Sequence, residues 1–408
     1  MVPRGRDLRL LVVGNAVSTL GNSVYLIAVT LLLKDLTGSA LVLGVFQFLA
    51  LSPAFILSPV TGALIDRNSR RTVIVLSDAL RGALMVGAGL LLTVPVFRSP
   101  WLVLPVALLA GVGHAFFVPA AQALVPSLVP PERLQSANGL RAATTQAANL
   151  VGNAVGGVLY VAIGAPAVFV INGLSFLVSA WRETAIRPDA VATGGGRVAV
   201  AAAAREGLGL LGSRRRLRLL VGSQAGLFVL SPALMLALPF LVIDDLGLGR
   251  DTLGYFFAAA LGGGIVAFLT LNRMPARVMV RRPVPPVAYA LLTASLILVT
   301  VRTSWPTLAA AAVVTGAAAG LVYLYAVTWI QHCTDPALHG RMFAILEAAS
   351  SLVAPVSYLV AGAALDASGA EYRWIVFGVM AILAATWTGV LTARWGARED
   401  RGPSPSSR

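Results

Sequence analysis

Charged side chains inside long apolar stretches are the residues of this sequence best suited to chemistry. Asp78 and Arg81 lie in the apolar stretch 73–97, and Glu347 lies in the stretch 342–365. A carboxylate in an apolar environment is costly unless it has a partner or binds a proton. The three residues are therefore candidates for proton exchange or for buried ion pairing.

A further acid, Asp66, stands in a short charged turn between two apolar stretches. The turn reads Gly62-Ala-Leu-Ile-Asp66-Arg67-Asn-Ser-Arg70-Arg71. A carboxylate at the end of one helix can cap the positive N-terminus of another helix. This turn therefore predicts an electrostatic contact at one end of a helical bundle.

The composition shows what kind of elements must position these groups. The chain has 408 residues, of which 57% are hydrophobic and 12% are charged, and its mean hydropathy is +0.83. Soluble domains average about 25% charged residues. The sequence therefore predicts an integral membrane protein made of apolar helices.

Twelve stretches have the length and composition of transmembrane helices. They cover about 10–33, 41–64, 73–97, 101–124, 138–163, 166–184, 218–243, 252–272, 284–301, 305–330, 342–365 and 373–394. The first follows the basic segment Met1 to Arg9 and is too long for the apolar region of a signal peptide, so it is predicted to be the first span.

The basic residues predict the orientation of these spans. The formal net charge is +14, and with the N-terminus inside, the outer loops hold only Lys34, Arg98, Arg250, Arg302 and Arg373. The inner loops and both tails hold most of the rest, as the positive-inside rule requires. This distribution explains the charge better than nucleic-acid binding does, since no basic face with interleaved aromatics is present. The single cysteine, Cys333, excludes an internal disulfide.

A weak internal repeat predicts two halves. The turn Asp66-Arg67 recurs in degraded form as Asn272-Arg273, between spans eight and nine, and such repeats are common in transporters. We predict a six-helix bundle at 1–184, a cytoplasmic linker at 185–217, a second bundle at 218–395 and a disordered tail at 396–408. The linker holds either an amphipathic helix on the inner leaflet or no structure.

Several motifs of the sequence resemble those of a known family. The turn from Gly62 to Arg71 is similar to motif A of the major facilitator superfamily. Further matches point to its bacterial drug-efflux branch, which includes macrolide exporters and the enterobactin exporter. They are Leu36-Thr-Gly-Ser39, Ser77-Asp78-xx-Arg81, Pro130-xxx-Leu134-xx-Ala137-Asn138-Gly139, Asn172-xx-Ser175-Phe176 and Gly340-Arg341.

The resemblance covers nearly the whole chain and implies two pseudo-symmetric six-helix bundles, an all-α membrane fold, a cavity between the bundles and alternating access. Two positions depart from the pattern. Gly21 is followed by Asn22 where the branch often has an acid, and Gly152-Asn153-xx-Gly156-Gly157 lacks the proline of the antiporter motif in span five.

The family pattern gives Asp66 a partner. We expect Asp66 to dock on the start of span eleven, at Gly340-Arg341, only when the inner gate is closed. Gly62, Arg67, Arg70 and Arg71 would complete this gate. The alternative is a constant carboxylate that stabilises the turn by pairing with Arg67 or Arg70.

Asp78 and Arg81 are three residues apart and share a helix face. They form either a structural ion pair or a site at which Asp78 accepts a proton. Glu347 either couples transport to protons, or pairs with an arginine of the inner gate such as Arg141. Asp66, Asp78 and Glu347 are thus the candidate proton-coupling residues.

Span five carries a polar stripe of Asn138, Arg141, Thr145, Asn149 and Asn153 at spacings of three or four, so its members share one helix face. Such a stripe faces protein or a cavity rather than lipid. The glycines 152, 156 and 157 allow close helix packing or take part in gating. The candidate cavity-lining residues are Asn22, Tyr25, Gln47, Arg141, Thr145, Asn149, Asn153, Gln224, Phe228, Trp329 and Tyr358.

No enzyme motif accompanies these features. There is no phosphate-binding Walker motif, no metal-ligand spacing and no cofactor signature. We expect a non-enzymatic, secondary-active exporter of a lipophilic or amphiphilic small molecule, driven by proton antiport. We expect it to be a monomer in a bacterial inner membrane, in contact with membrane lipids and with both termini in the cytoplasm. The alternatives are a lipid-moving or uptake facilitator of the same fold, and a non-transporting scaffold.

Overall fold

The computed structural model describes residues 5–187, 209, 215–280, 282–334, 336–369 and 376–395. Within these ranges the chain is helical and contains no strand. The helices are α1 Gly5–Thr37, α2 Ala40–Ile56, α3 Ser58–Arg67, α4 Arg70–Leu91, α5 Pro100–Leu128, α6 Leu134–Glu183, α7 Arg215–Phe240, α8 Leu253–Asn272, α9 Ala276–Met279, α10 Val284–Val301, α11 Trp305–Cys333, α12 Pro336–Ser368 and α13 Gly378–Trp395.

The helices match the predicted spans. Among the described residues, eight helices are long and apolar enough to cross a membrane, and three shorter apolar helices accompany them. Each of the twelve predicted spans falls on a helix, with spans five and six joined in α6. The predicted all-α fold with twelve spans is confirmed.

A glycine separates spans five and six inside α6. Gly164 has φ 77 and ψ 166, whereas the residues on both sides are helical. Only glycine adopts this backbone conformation without a Cβ clash. Pro166 follows two residues later and fits the first turn of the next helix, where its missing N–H is not needed.

Span two is divided, in contrast to the single predicted span 41–64. The break is at Leu57, whose N–H donates to the carbonyl of Pro53 at 2.9 Å. α3 begins at Ser58 with a proline in its first turn, and this proline, Pro59, cannot supply the N–H that an uninterrupted helix would use there. The first part of the charged motif, Gly62 to Arg67, therefore lies on a separate short helix, and Arg70 and Arg71 begin α4.

Contacts divide the chain into two compact units. Unit 1 comprises Met1–Gly196, Leu238–Ala258 and Tyr358–Ala363, and unit 2 comprises Arg197–Ala237, Ala259–Ser357 and Ala364–Arg408. The boundary predicted between two six-helix bundles stays a prediction. Most of the predicted linker 185–217 and the predicted tail 396–408 lie outside the described residues.

Unit 2 is joined by polar contacts that cross its helices. Ser223 of α7 accepts a hydrogen bond from the Tyr289 hydroxyl at its carbonyl (2.5 Å) and one from Trp387 Nε1 at its hydroxyl (3.3 Å). Arg216 Nη2 donates to the Tyr325 hydroxyl at 2.8 Å. Side chains of α10, α11 and α13 thereby meet α7.

Unit 1 depends on a close approach of α4 and α6. A Cβ added at Gly82 would lie 2.7 Å from the Leu177 side chain and 2.9 Å from the Gly173 carbonyl oxygen. A Cβ at Gly173 would lie 2.7 Å from the Val86 nitrogen. Small residues permit such close helix packing in membranes, and here they bring one face of α4 against α6.

Replacing Gly173 by alanine should therefore destabilise unit 1. The added methyl meets backbone atoms that cannot rotate away, so we expect a loss of about 1–3 kcal/mol, seen as a lower melting temperature in detergent. The matched control is Gly87→Ala on α4, where an added Cβ meets nothing within 4 Å. Equal melting temperatures for the two variants would contradict this packing.

Candidate functional site

The pair predicted on span three is buried and formed. Asp78 is 0% exposed and Arg81 is 6% exposed. Arg81 Nη2 donates to Asp78 Oδ1, and Arg81 Nε donates to the Ser77 carbonyl at 3.4 Å. A buried ion pair needs such contacts because the desolvation of both charges is costly.

Two aromatic rings enclose the Arg81 guanidinium. Its Cζ lies 4.8 Å from the ring centroid of Phe117 on α5 and 4.3 Å from that of Phe176 on α6. Cation–π contacts of this kind are worth about 2 kcal/mol or more when desolvated. Gly113 makes room for the arginine, since a Cβ there would lie 2.7 Å from Arg81 Cγ.

A second buried acid completes this site. Glu183, the last residue of α6, is 0% exposed, and its Oε1 accepts a hydrogen bond from Ser179 Oγ at 3.3 Å. Asp78 Oδ2 and Glu183 Oε2 are both buried without a hydrogen-bond partner. Asp78, Arg81, Ser179 and Glu183 are hereafter called the buried charge cluster.

One further titratable side chain borders the cluster. His114 on α5 interacts electrostatically with Arg81. On α1, the uncharged Gly14 faces Ser179, whose Oγ would lie 3.0 Å from an added Cβ. The cluster thus contains two acids, one guanidinium and a neighbouring imidazole.

The charged turn contacts the end of α6. Arg71 donates through Nε to the Glu183 carbonyl at 3.4 Å and through Nη2 to the Thr184 carbonyl. A cation at a helix C-terminus satisfies carbonyls that have no partner within the helix. The motif is therefore joined to the same residue whose carboxyl group enters the buried charge cluster.

The other residues of the turn are placed as follows. Asn68 Nδ2 caps the end of α3 by donating to the Leu64 carbonyl at 2.8 Å. Arg67 is exposed and Arg70 is half-buried. A Cβ added at Gly62 would meet no described atom within 4 Å. The Asp66 side chain lies outside the described part of the structure, so its docking stays a prediction.

The side chains of the residues predicted on span eleven are likewise not described. Gly340, Arg341 and Glu347 lie in α12, and their side chains are outside the part of the chain that the structure describes. The proposed contact of Asp66 with Arg341 and the proton-coupling role of Glu347 therefore stay predictions.

The polar stripe of span five has partners on α1. Asn15 Nδ2 donates to Thr145 Oγ1 at 3.0 Å, and Ser23 Oγ donates to Asn149 Oδ1 at 2.8 Å. A Cβ at Gly152 would lie 2.6 Å from Ser23 Cβ. This part of the stripe therefore faces protein and packs α6 against α1.

The remaining candidate cavity residues differ in burial. Tyr25 is 3% exposed, and its hydroxyl has no hydrogen-bond partner. The centroid of its ring lies 6.4 Å from that of Phe46 and 4.8 Å from that of Phe169. Gln224 and Trp329 are each 5% exposed, and Trp329 packs in an apolar cluster with Tyr325. The half-buried members are Asn22, Gln47, Arg141, Asn153, Phe228 and Tyr358.

A second polar cluster forms at the predicted outer end of unit 1. Lys34 Nζ donates to Asp244 Oδ1 at 2.7 Å. Asp35 accepts from Arg250 Nη2 at 2.9 Å and Nε at 3.1 Å, and from the Tyr160 hydroxyl at 2.7 Å. These five residues are hereafter called the outer polar cluster.

The third glycine of span five lies beside that cluster. A Cβ at Gly157 would lie 2.7 Å from the carbonyl oxygens of both Arg250 and Asp251. Gly152 and Gly156 instead pack against α1 at Ser23 and Ile27. Two of the three predicted glycines therefore serve packing of α6 on α1, and Gly157 contacts the 250–251 backbone.

Sequence reasoning missed Glu183 and the acids of the outer polar cluster. Glu183 stands at a span boundary, where a charge needs no special explanation. Its partners are far away in the sequence, and one signal was available: the span ends on an acid next to Arg182 in an arginine-rich inner loop. Asp35 and Asp244 also stand at span ends.

The fold and this site define a multi-pass α-helical membrane transporter. The profile of the Major Facilitator Superfamily matches residues 11–284 and 228–408. The chain therefore belongs to the Major Facilitator Superfamily.

Individual relatives show how far the similarity extends. Macrolide efflux protein A of Streptococcus pyogenes is 29% identical over 177 residues, which is 43% of each chain. The lysophospholipid transporter LplT of Pectobacterium carotovorum is 29% identical over 156 residues, 38% of this chain and 36% of that protein. These matches span less than half of the relatives' length.

A solved structure matches almost the whole chain. The nucleoside transporter NupG superposes with a TM-score of 0.74 at 12% identity, covering 96% of this chain and 100% of that one. At this identity the likeness establishes the fold and leaves the substrate open.

Replacing Arg81 by methionine should destabilise the protein strongly. The change removes the countercharge of the buried Asp78 carboxylate, which typically costs about 3–5 kcal/mol. The double variant Asp78→Asn with Arg81→Met should recover part of the loss. Melting temperatures in detergent measure both effects.

The control for this prediction is Arg250→Gln in the outer polar cluster. Arg250 is 47% exposed in its pair with Asp35, and exposed pairs contribute about 1 kcal/mol or less. A melting temperature of Arg81→Met equal to that of Arg250→Gln would show that the buried pair is not structurally important.

Proposed function

We propose that this chain is a secondary-active exporter that moves a lipophilic or amphiphilic small molecule out of a bacterial cell by proton antiport. The observation that carries the proposal is the buried charge cluster, in which Asp78 and Arg81 lie inside the spans of a transporter fold. Ionisable groups are retained in membrane spans at a cost, and they commonly form proton or substrate pathways.

The sequence and the cluster together support a proton gradient as the energy source. The chain has no nucleotide-binding loop, so an ion gradient is the remaining driving force for uphill transport. A carboxyl group that gains and loses a proton changes the charge of the site that holds it. Asp78, with one oxygen on Arg81 and the other unpartnered, has the chemistry for that exchange.

The substrate class is supported by the relatives and by the apolar surroundings. The names of the matched proteins include a macrolide exporter and a lysophospholipid transporter. Both names denote large amphiphilic molecules, and the half-buried aromatic side chains of Phe228 and Tyr358 offer apolar surface to such molecules. Tyr25 and Trp329 are buried in packing contacts. A lipid-moving facilitator is the second candidate function, favoured by the LplT match.

Two gates complete the proposed cycle. Asp66, Arg67, Arg70, Arg71, Gly340 and Arg341 would close the inner side, with Asp66 on the start of α12. The outer polar cluster and Gly157 would close the outer side by holding the 244–251 segment on α1 and α6. We place the protein in the bacterial cytoplasmic membrane as a monomer of two six-helix bundles with both termini in the cytoplasm.

Cells that express the chain should accumulate less of an exported drug. The host is a bacterium without its major efflux pumps, and the compounds are a macrolide, other lipophilic antibiotics, a siderophore and a labelled lysophospholipid. We expect lower accumulation of at least one drug, and an uncoupler should abolish the difference. The control is Asp78→Asn at equal expression, which should accumulate the drug as empty cells do.

The outcomes separate the candidate functions. Protection that persists with the uncoupler would contradict proton antiport. Movement of the lysophospholipid alone would favour the lipid facilitator over drug export. Uphill uptake of any compound would contradict the exporter.

Replacing Asp66 by asparagine should lower drug export without lowering the amount of protein. The change removes the charge that would dock on the positive start of α12. Export is measured as above, and expression by immunoblot of membranes. The matched control is Glu132→Gln, an exposed acid in the loop between α5 and α6, which should export normally. Full export by Asp66→Asn would contradict the latch.

A further inference from the structure

The buried charge cluster has an unequal number of opposite charges. Asp78 and Glu183 are both 0% exposed, and Arg81 is the cation that pairs with Asp78. If both acids were ionised, the cluster would carry one uncompensated negative charge. Such a charge costs several kcal/mol away from water, and binding a proton removes the cost.

The two acids also lack hydrogen-bond donors. Ser179 Oγ donates to Glu183 Oε1 at 3.3 Å and also interacts with the Asp78 carboxyl group, but its hydroxyl has only one hydrogen to donate. Asp78 Oδ2 and Glu183 Oε2 are buried without partners. One additional proton on a carboxyl group would supply the missing donor.

We propose that Asp78 and Glu183 share one bound proton and form, with Ser179 between them and Arg81 beside them, a single proton-binding site. With the proton on Glu183, the Ser179 hydroxyl accepts from that acid and donates to Asp78, which keeps its ion pair with Arg81. Binding forms one O–H bond between the carboxyl group and the proton, and release breaks the same bond. No metal or second reactant is required.

The surroundings of the site favour Glu183 as the residue that holds the proton. Arg81 donates directly to Asp78, so the ionised form of Asp78 is the better stabilised of the two. The other titratable groups on the packed elements include Arg71 of α4, which donates to the Glu183 carbonyl, His114 of α5 and Arg182 of α6. On α1, the uncharged Gly14 faces Ser179. Phe117 and Phe176 cover the guanidinium and keep the site apolar.

The site is connected to the charged turn through the backbone. The carbonyls of Glu183 and Thr184 accept hydrogen bonds from Arg71. A change in the charge of Glu183 therefore acts on a helix end that the motif holds. The role of the site in transport rests on the proposed proton antiport, whereas the binding of the proton rests on the geometry alone.

Infrared spectroscopy of the purified full chain in lipid nanodiscs tests the binding. The carbonyl stretch of a protonated carboxylic acid should be present in the wild type at neutral pH. Glu183→Gln should lose this band because the acid is removed. Asp78→Asn should also lose it, because Glu183 is then the only acid facing Arg81 and ionises. Glu132→Gln should keep the band.

The variants of Asp78 and Glu183 together distinguish a shared proton from a proton on a single acid. Absence of the band from the wild type, or an unchanged band in Asp78→Asn, would overturn the shared site. Glu183→Asp, which keeps an acid at the position, should restore the band if Glu183→Gln loses it through chemistry rather than misfolding. Gel filtration and melting temperature report the folding of each variant.

The transport assay separates this inference from the proposed function. If the bands behave as expected but export does not depend on a proton gradient, the proton site stands and antiport fails. If export depends on the gradient and the wild type shows no band, antiport stands and the shared site fails.

Discussion

The guanidinium of Arg81 is buried between α4, α5 and α6, with 6% of the residue exposed, and the packing of these three helices depends on its contacts. Asp78 forms an ion pair with it, and the rings of Phe117 and Phe176 form cation–π contacts with it. Gly113 makes room for its stem, and the glycines of α4 and α6 bring the two helices close enough to bury the cluster. A desolvated charge tolerates few rearrangements, because each lost contact leaves it uncompensated.

The same cluster gives the charged turn a structural function beyond capping. Arg71 binds the last carbonyls of α6, and the last residue of that helix, Glu183, directs its carboxyl group towards Ser179 and Arg81. A residue on the rim of the bundle thus contacts the backbone of a residue in its interior. This connection offers a physical route by which protonation inside unit 1 can act on the turn.

The spans, the charged turn and the Asp78–Arg81 pair could be predicted from the sequence because each depends on local composition or on spacing within one helix. The break at Leu57 depends on Pro53 and Pro59, whereas hydropathy alone predicts one continuous span across both prolines. Glu183 could not be assigned, because its site is assembled from α4 and α6, over a hundred residues apart in sequence. The pairing of Lys34 with Asp244 has the same cause. Both involve acids at span ends, where sequence alone cannot distinguish a solvated charge from a buried partner.

Sealed liposomes that contain the purified protein provide a direct test of proton-driven export. A compound that the cellular assay identifies as exported is added outside vesicles with an acidic lumen, and a trapped dye reports internal pH. We expect that the compound accumulates inside, that the lumen becomes more alkaline as the compound enters, and that a protonophore abolishes both changes. Accumulation that is independent of the pH gradient, with no movement of protons, would contradict it.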